Sequence, residues 1–239
     1  MGRYLKLCSG LALVALLVVG AGFVHPVKGG QPEIIRAGEH EGHAVAITFD
    51  DGPSPSYTPK ILALLNHYQA HATFFVLGRK VEEYPGLIKA MLRDGHEVGN
   101  HTFDHPRLPK TDQLTREQEI EKTGLDLDLV GCPQKPRLLR PPYSAYDNRL
   151  VSYLEHTHRQ LVLWSIDSGD WRGLDAAAIV NNVLGRVGNG AIIIFHDSDE
   201  KDQADRSPTV EALRVILPAL RASGYRLVTV SELVNRGNP

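Results

Sequence analysis

Two adjacent carboxylates and two histidines are the residues of this chain best suited to chemistry. Asp50 and Asp51 end an apolar run at residues 44–49, and His101 lies four residues before His105. One carboxylate and two imidazoles can occupy three positions around a divalent metal ion and leave a fourth for water. The second carboxylate would then stand beside that water, where a general base is needed. This set of residues is typical of a metal-dependent hydrolase.

Each pair also has a simpler interpretation. Two histidines at this spacing can be one exposed and one packed side chain, and Pro106 favours a loop or a helix end at this point. The segment 50–53 could form a turn with solvated carboxylates. If strand geometry continued through Asp50 and Asp51, their side chains would point to opposite sides. That arrangement favours one aspartate as a metal ligand and the other as the base.

A third histidine and an arginine lie where they could complete such a site. His196 ends the apolar run 192–195 and could act as a general acid, with Asp167 or Asp170 orienting its imidazole. The alternative for His196 is a core histidine with satisfied hydrogen bonds. Arg140 precedes two prolines and could hold an ionised carboxylate and keep its pKa low. Its alternative is a surface ion pair.

Three aromatic side chains near these residues could contact a sugar ring. Tyr143, Tyr146 and Trp171 present flat apolar faces, although core packing explains each of them equally well when taken singly.

Short apolar runs alternate with longer amphipathic stretches after residue 43. The predicted strands cover residues 44–49, 72–77, 96–99, 137–140, 160–165, 191–195 and 225–229. The predicted helices cover about 59–69, 82–93, 114–131, 147–157, 175–187 and 208–222. Gly95 and Gly224 are typical residues after a helix end, and Asp175 is typical of a helix start. This alternation predicts an α/β fold, a distorted (β/α) barrel of about seven parallel strands in a single domain. The candidate residues then gather at the carboxyl ends of the strands.

The first part of the chain has a different character. Arg3 and Lys6 precede an apolar run at residues 11–19, which predicts a signal peptide or an uncleaved membrane anchor over residues 1–30. A short linker over 31–41 and a catalytic domain over 42–239 follow. Export indicates a secreted, periplasmic or cell-envelope protein, with membrane contact only through this segment.

Charge and cysteine content narrow the classes of partner. The formal net charge is −2 and no block of Lys or Arg stands out, so we expect no nucleic acid partner and a neutral or weakly charged substrate. Cys8 lies in the exported segment, which leaves Cys132 as a packing residue with no intramolecular disulfide. We expect a monomer.

Taken in order, five motifs resemble the polysaccharide deacetylase family, also called carbohydrate esterase family 4 or the NodB-homology domain. They are Thr48-Phe49-Asp50-Asp51-Gly52-Pro53, His101-Thr102-Phe103-Asp104-His105, Arg140-Pro141-Pro142-Tyr143, Asp167-Ser168-Gly169-Asp170-Trp171 and Ile194-Phe195-His196-Asp197. The resemblance extends over about residues 42–235. It implies a distorted (β/α) barrel and metal-dependent removal of acetyl groups from a polysaccharide, most often from N-acetylglucosamine units.

The resemblance also implies a role for each candidate residue. Asp51, His101 and His105 match metal ligands, for which zinc is expected and cobalt or nickel are alternatives. Asp50 matches the catalytic base and His196 the general acid. Arg140 matches the residue that steadies the base, and Asp170 the one that orients the acid. The backbone N–H of Tyr143 matches a donor to the oxyanion, and Trp171 and Ile194 match walls of the acetyl-methyl pocket.

Two departures and four rival functions accompany this resemblance. Ser144 stands where the family usually has glycine, and Phe195 where leucine is common.

An esterase that removes O-acetyl groups from xylan, or a hydrolase of small cyclic amides, would use the same fold. A non-catalytic glycan-binding domain should have lost a ligand or the acid, and none is lost here. A non-haem iron oxygenase shares the ligand types but usually has a short His-x-Asp pair, which is absent. The acetylated polymer itself, peptidoglycan or a chitin-type glycan, stays open.

Overall fold

All strands of the central sheet run parallel. The computed structural model describes residues 34–38, 42–132 and 138–234, and these contain nine strands. They are β1 (Ile34–Ile35), β2 (Ala44–Asp50), β3 (Ala72–Val76), β4 (Glu97–Asn100), β5 (Leu138–Leu139), β6 (Gln160–Val162), β7 (Ile166–Asp167), β8 (Ile192–His196) and β9 (Arg226–Val228). Their order is β1-β6-β5-β4-β3-β2-β8-β7, and β9 pairs with the first half of β2.

The sheet curls because its two sides come together. Ala37, just after β1, forms an antiparallel bridge with Ala191, just before β8. The N–H of Gly38 also donates to the carbonyl of Gly190 over 2.8 Å. The prediction of a distorted (β/α) barrel with parallel strands is therefore confirmed.

Eight α-helices in the described residues cover the sheet. They are α1 (Thr58–His67), α2 (Gly78–Glu83), α3 (Pro85–Arg93), α4 (Gln113–Leu129), α5 (Asn148–His156), α6 (Ala176–Leu184), α7 (Ser207–Ala222) and α8 (Val230–Val234). All seven side chains of β2 and all five of β3 are buried, as an unbroken apolar strand in a parallel sheet requires. The main core lies between these strands and the helices, and Cys132 packs against it.

The three residues predicted to flank helices do so in the structure. The side chain of Asp175 accepts a hydrogen bond of 2.8 Å from the N–H of Ala178 at the start of α6. Gly95 and Gly224 follow α3 and α7 with φ angles of 80° and 82°, the left-handed conformation in which glycine carries no steric penalty.

The strand count differs from the predicted number of about seven for two reasons. Residues 34–35, inside the segment interpreted as a linker, form β1, and Ile35 is buried there. The predicted strand at 160–165 is two short strands, β6 and β7. Between them, the hydroxyl of Ser165 accepts a hydrogen bond from the Ile192 N–H, which replaces regular strand pairing.

The helical layer also differs from the prediction. The helix predicted at 82–93 begins at Pro85, and α2 precedes it as a separate element. Proline at the first helical position is common because it lacks the N–H that a helix start leaves unpaired. The short α8 follows the last strand and was not predicted.

The predicted signal peptide or anchor at residues 1–30 lies outside the described residues. Within the described ranges, no helix is both long enough and apolar enough to cross a membrane.

Candidate active site

A cavity of about 510 Å³ opens at the carboxyl edge of the sheet. Its walls come from the ends of β2, β4, β5, β7 and β8 and from the loops that follow them. The lining residues include Asp50, Asp51, His101, His105, Tyr143, Trp171, Ile194 and His196. The parallel topology thus brings together residues that are up to 146 positions apart in the sequence, as predicted from their places at strand ends.

Both carboxylates of the first motif face this cavity. Asp50 is the last residue of β2, and Asp51 has a φ angle of 70°, so the strand geometry ends between them. The oxygens Asp50 Oδ2 and Asp51 Oδ1 lie 3.8 Å and 3.3 Å from Nε2 of His101. The opposite orientation expected for a continuing strand therefore does not apply, because the left-handed residue turns the second side chain to the same side.

Asp51, His101 and His105 form a cluster that fits a metal ion. One ligand atom from each lies within 4.8 Å of the other two, and all three residues are buried. Asp51 Oδ1 is 3.3 Å and 3.2 Å from the two Nε2 atoms. Among the described residues this oxygen has no hydrogen-bond partner. Two imidazole nitrogens and one carboxylate oxygen are a usual donor set for zinc, cobalt or nickel.

The backbone around the histidines points their rings at Asp51. The Nδ1 atom of His101 lies 2.7 Å from the carbonyl of Arg140, so its proton is held there and Nε2 is left as the ligand atom. His101 and His105 lie in a turn, not a helix, in which Thr102 and His105 have φ angles of 71° and 64°. The Thr102 hydroxyl accepts a 3.1 Å hydrogen bond from the His105 N–H. We call residues 101–105 the metal turn.

The electrostatics of the cluster favour an ionised Asp51. Burial alone would raise the pKa of its carboxyl, but the imidazoles of His101 and His105 outweigh burial and hold the pKa well below its usual range. The charge of His196 acts in the same direction. An ionised carboxylate is the form that binds a cation.

Arg140 and Asp50 form a buried ion pair at the floor of the cavity. The Nη1 atom of Arg140 donates to Asp50 Oδ1 over 2.7 Å and to the Thr48 hydroxyl over 2.7 Å. Its Nη2 donates to the carbonyl of Leu163, and the guanidinium lies 4.1 Å above the ring of Phe75. Arg140 is fully buried, so the surface ion pair considered for it is excluded. One oxygen of Asp50 is thereby held, and the other faces the metal cluster.

The partly exposed His196 and the buried Asp170 form a second pair. The Nδ1 atom of His196 lies 2.8 Å from Asp170 Oδ1, and the His196 N–H donates to Asp170 Oδ2 over 2.8 Å. Burial lowers the pKa of His196, but the charge of Asp170 and its hydrogen bond outweigh burial and raise the pKa to about 9. Asp167, the other candidate, instead accepts hydrogen bonds from the Gly169 N–H and the Trp171 indole. The Asp170 carboxylate therefore favours the protonated form of His196, which lines the cavity.

Gly52 permits a close approach of Asp197, which the sequence analysis did not identify. A Cβ atom at residue 52 would lie 2.2 Å from Asp197 Oδ1, so no larger residue fits without a shift of the carboxyl group. The hydroxyl of Thr58 donates to the other oxygen of Asp197. Burial raises the pKa of Asp197 to about 7. The glycine of the first motif therefore has a packing role beside the cavity.

The aromatic candidates divide into two groups. Tyr143 and Trp171 line the cavity and are 55% and 54% exposed, so their rings are accessible to a ligand. Ile194, in β8, is buried and also lines the cavity. Tyr146 is not among the cavity-lining residues, and its hydroxyl accepts a hydrogen bond from Arg36.

The cavity has further walls that sequence reasoning missed. They include Trp164, Asp199, Glu200, Ala204 and Arg206. Four of these lie in the loop after β8, where no element or motif drew attention to them. The basic Arg206 sits just before α7 and is buried, which its position in a polar loop did not suggest.

Comparison with known proteins identifies relatives across most of the chain. A family model described as polysaccharide deacetylase matches residues 37–162. A peptidoglycan-N-acetylglucosamine deacetylase of Bacillus cereus is 41% identical over 194 residues, which are 80% of this chain and 87% of that protein. A chitooligosaccharide deacetylase of Azorhizobium caulinodans is 36% identical over 191 residues, 77% of this chain and 91% of the relative.

A solved structure supports the same relationship. The crystal structure of the Bc1960 peptidoglycan N-acetylglucosamine deacetylase, in complex with 4-naphthalen-1-yl-N-oxidanyl-benzamide, aligns with a TM-score of 0.81 and 34% identity. The alignment covers 84% of this chain and 92% of that chain.

Proposed function

The chain belongs to the polysaccharide deacetylase family, and from this premise we propose that it removes N-acetyl groups from a polysaccharide that contains N-acetylglucosamine. The products are acetate and a polymer with a free amine. The observation that carries the proposal is that Asp50 and His196 line the same cavity as the Asp51, His101 and His105 cluster.

We assign the metal site to Asp51, His101 and His105, whose donor atoms suit zinc best and could also hold cobalt or nickel. A metal ion bound there would lower the pKa of a water molecule and polarise the acetyl carbonyl.

In this proposal Asp50 is the general base. It takes a proton from water as the water oxygen attacks the carbonyl carbon of the acetyl group. The ion pair with Arg140 holds Asp50 in one orientation, because the guanidinium is itself held by Thr48 and by the carbonyl of Leu163. The backbone N–H of Tyr143 donates to the developing oxyanion.

His196 is the general acid. It donates its proton to the amide nitrogen as the carbon–nitrogen bond breaks, and the free amine leaves with the polymer. Asp170 orients the imidazole and favours its protonated form. Trp171 and Ile194 form the walls that receive the acetyl methyl group.

We further propose that the protein acts on a cell-envelope glycan after export through residues 1–30, as a secreted, periplasmic or membrane-anchored monomer. The substrates named for the relatives, peptidoglycan and chitooligosaccharides, support a polymer substrate over a small cyclic amide.

Acetate release tests the proposal. The full chain in detergent is incubated with N-acetylglucosamine oligomers and with peptidoglycan, with and without a chelator. We expect release that the chelator abolishes and that zinc or cobalt restores. Release only from acetylated xylan would instead support an O-acetyl esterase, and no release from any acetylated substrate with metal bound would overturn the proposal.

The Asp50→Asn variant tests the base directly. We expect it to bind the metal normally and to lose about 10²- to 10⁴-fold in kcat. Asp128→Asn, on the exposed side of α4, is the matched control and should keep full activity. A metal-loaded Asp50→Asn protein with full activity would exclude Asp50 as the base.

A further inference from the structure

Lys80 is a lysine with no exposed surface, on α2, outside the cavity. Its Nζ atom donates to the Ser198 hydroxyl over 2.6 Å, to the carbonyl of Asp199 over 2.7 Å and to Asp202 Oδ1 over 2.5 Å. An ammonium group has three donors, and all three are used. Burying a charge is unfavourable unless it is paired and hydrogen-bonded, so this full set of partners explains how a lysine can be buried here.

All three acceptors belong to the loop 197–206, which follows His196 and which we call the acid loop. The loop has no regular secondary structure, and some of its hydrogen bonds join residues within the loop. The carboxylate of Asp199, for example, accepts hydrogen bonds from the N–H groups of Gln203 and Ala204. Lys80 thus ties an irregular loop to a helix.

The acid loop returns to the catalytic residues at its other end. Arg206 donates from Nη1 to the carbonyl of Asp170 over 3.3 Å and from Nε to the carbonyl of Ser198 over 2.9 Å. Asp170 is the residue that contacts His196. A hydrogen-bonded path therefore leads from Lys80 through Ser198 and Arg206 to the residue that orients the proposed acid.

The helix that carries Lys80 is also attached to the metal turn. The N–H of Gly78 donates to the carbonyl of Thr102 over 2.9 Å. A Cβ atom at residue 78 would lie 2.4 Å from the Thr123 hydroxyl, so α2 packs closely at this end. Lys80 consequently joins the side of the cavity that holds the metal ligands to the side that holds the acid.

We propose that Lys80 is a positioning residue, which anchors the acid loop and so places His196 and the outer cavity wall opposite the metal turn. The catalytic part of this inference rests on the proposed deacetylase function, and the anchoring part does not. Loss of the ammonium would leave Asp202 without its ion pair and would release the loop, while the backbone contacts between α2 and the metal turn would remain.

The test uses the full chain with Lys80→Met, and Lys89→Met as the matched control, because Lys89 is exposed on the neighbouring helix α3. Hydrogen exchange measured by mass spectrometry reports on the acid loop without any substrate. We expect faster exchange in residues 197–206 of Lys80→Met and no change in residues 101–105. Zinc affinity should stay within about twofold, whereas kcat should fall by about tenfold or more with little change in KM.

Chemical rescue separates anchoring from a general loss of stability. In Lys80→Ala, added n-propylammonium should restore both slow exchange of the acid loop and kcat, and the two effects should saturate at the same concentration of the amine. The bulkier tetramethylammonium, which has no N–H donor, should restore neither. If the Lys80 variants do not fold, Asp202→Ala and Ser198→Ala remove the two side-chain acceptors instead, and the Asp202 side chain is 28% exposed and so tolerates replacement.

Unchanged exchange of the acid loop in a folded Lys80→Met protein would overturn the inference. So would a loosened loop with undiminished kcat, or a loss of activity that only follows a loss of zinc. If the wild-type chain deacetylates no substrate, the proposed function fails, and the exchange and rescue measurements still decide whether Lys80 anchors the loop.

Discussion

Asp170 contacts His196 through both oxygens of one carboxylate. Oδ1 lies 2.8 Å from the His196 Nδ1, and Oδ2 accepts the backbone N–H of the same residue. The Thr209 hydroxyl also donates to Oδ2 over 3.0 Å. Burial would raise the pKa of Asp170, but the charge of His196 and the two hydrogen bonds from His196 lower it below its usual value. The pair thus favours the charged form of the carboxylate and the protonated form of the imidazole.

This pair predicts how activity depends on pH. Burial lowers the pKa of His196 and Asp170 raises it, with a net value of about 9. In Asp170→Asn the pKa of His196 should fall below about 9, and the alkaline limb of kcat should move to lower pH, because the acid must be protonated to act. A bound metal ion also lowers the pKa of His196, so variants are compared at equal metal loading. NMR titration of the His196 ring measures the shift.

Asp167→Asn is the control for this titration, since Asp167 ends β7 three residues before Asp170 and accepts hydrogen bonds from Gly169 and Trp171 instead of from His196. We expect the His196 midpoint to stay where it is in the wild type. A wild-type midpoint in metal-free protein near the ordinary value of 6.5, or one that Asp170→Asn leaves unchanged, would contradict the assignment.

The same pair contributes to stability over a defined pH range. The folded-state pKa of His196 is raised above its unfolded value, so its contribution is complete below pH 6.5 and disappears as the pH rises through about 9. The free energy of unfolding, measured in urea between these limits, should fall more steeply for the wild type than for Asp170→Asn. Equal slopes would show that the pair does not stabilise the fold.

We expect replacement of Arg140 to have a large effect on stability as well as on activity. Arg140→Met would leave the Asp50 carboxylate buried without its counter-ion and should reduce the free energy of unfolding by about 3–5 kcal/mol. The double variant Arg140→Met/Asp50→Asn should recover part of this loss, because it removes the uncompensated charge. Urea denaturation measures both.

Arg149→Met is the matched control, because Arg149 pairs with Asp147 at the surface and its side chain is 64% exposed. Removing an exposed ion pair should change the free energy of unfolding by less than about 1 kcal/mol. A similar loss in the two arginine variants would mean that the Arg140 pair contributes no more than a surface contact.

The residues at the strand ends could be predicted from sequence because the pattern that places them is local. A buried parallel strand is an unbroken apolar run, so Asp50 and His196 were recognisable as the first polar residues after one. Parallel strands share their carboxyl edge, which was sufficient to bring distant motifs into one cavity. Helix caps such as Asp175 are likewise local signals.

Other features depend on contacts between distant segments. No local pattern shows that Asp51 turns back toward Asp50, since its φ angle of 70° is stabilised by its surroundings in the fold. The sequence around Lys80 is that of a surface lysine, because the partners that bury it lie in the distant acid loop. The strand at 34–35 is too short for a periodic signal, and it forms because β6 offers it a partner.

We expect Glu119, which lies outside the cavity, to contribute to metal affinity. Its Oε2 accepts hydrogen bonds from the N–H groups of Phe103 and Asp104, at 2.9 Å and 2.8 Å, and so holds the middle of the metal turn. Glu119→Ala should weaken zinc binding by about 10- to 100-fold, the usual effect of losing a group that orients metal ligands. Competition with a fluorescent chelator measures the affinity.

Glu117→Ala is the control for this measurement. Glu117 lies on the same helix and accepts a hydrogen bond from Gln113. We expect its zinc affinity to equal that of the wild type. If Glu119→Ala binds zinc as tightly as Glu117→Ala, the metal turn keeps its shape without the carboxylate.

We expect replacement of Ser144 by glycine to stabilise the protein, because Ser144 has a backbone conformation that glycine adopts more easily. Tyr143 and Ser144 have φ angles of 59° and 53°, so two consecutive side chains lie in the left-handed region. The left-handed conformation costs about 1–2 kcal/mol for a residue with a Cβ atom, and glycine loses about 0.5–1 kcal/mol more backbone entropy on folding. Ser144→Gly should therefore raise the free energy of unfolding by about 0.5–1 kcal/mol, measured in urea.

Ser223→Gly provides the opposite case within the same chain. Ser223 has a φ angle of −78° at the end of α7, where glycine relieves no strain and only adds entropy to the unfolded state, so this variant should be less stable than the wild type. Opposite signs for the two serine-to-glycine changes would show that the backbone beside the proposed oxyanion donor is strained. A loss of stability in both would mean that contacts of the Ser144 side chain outweigh its left-handed conformation.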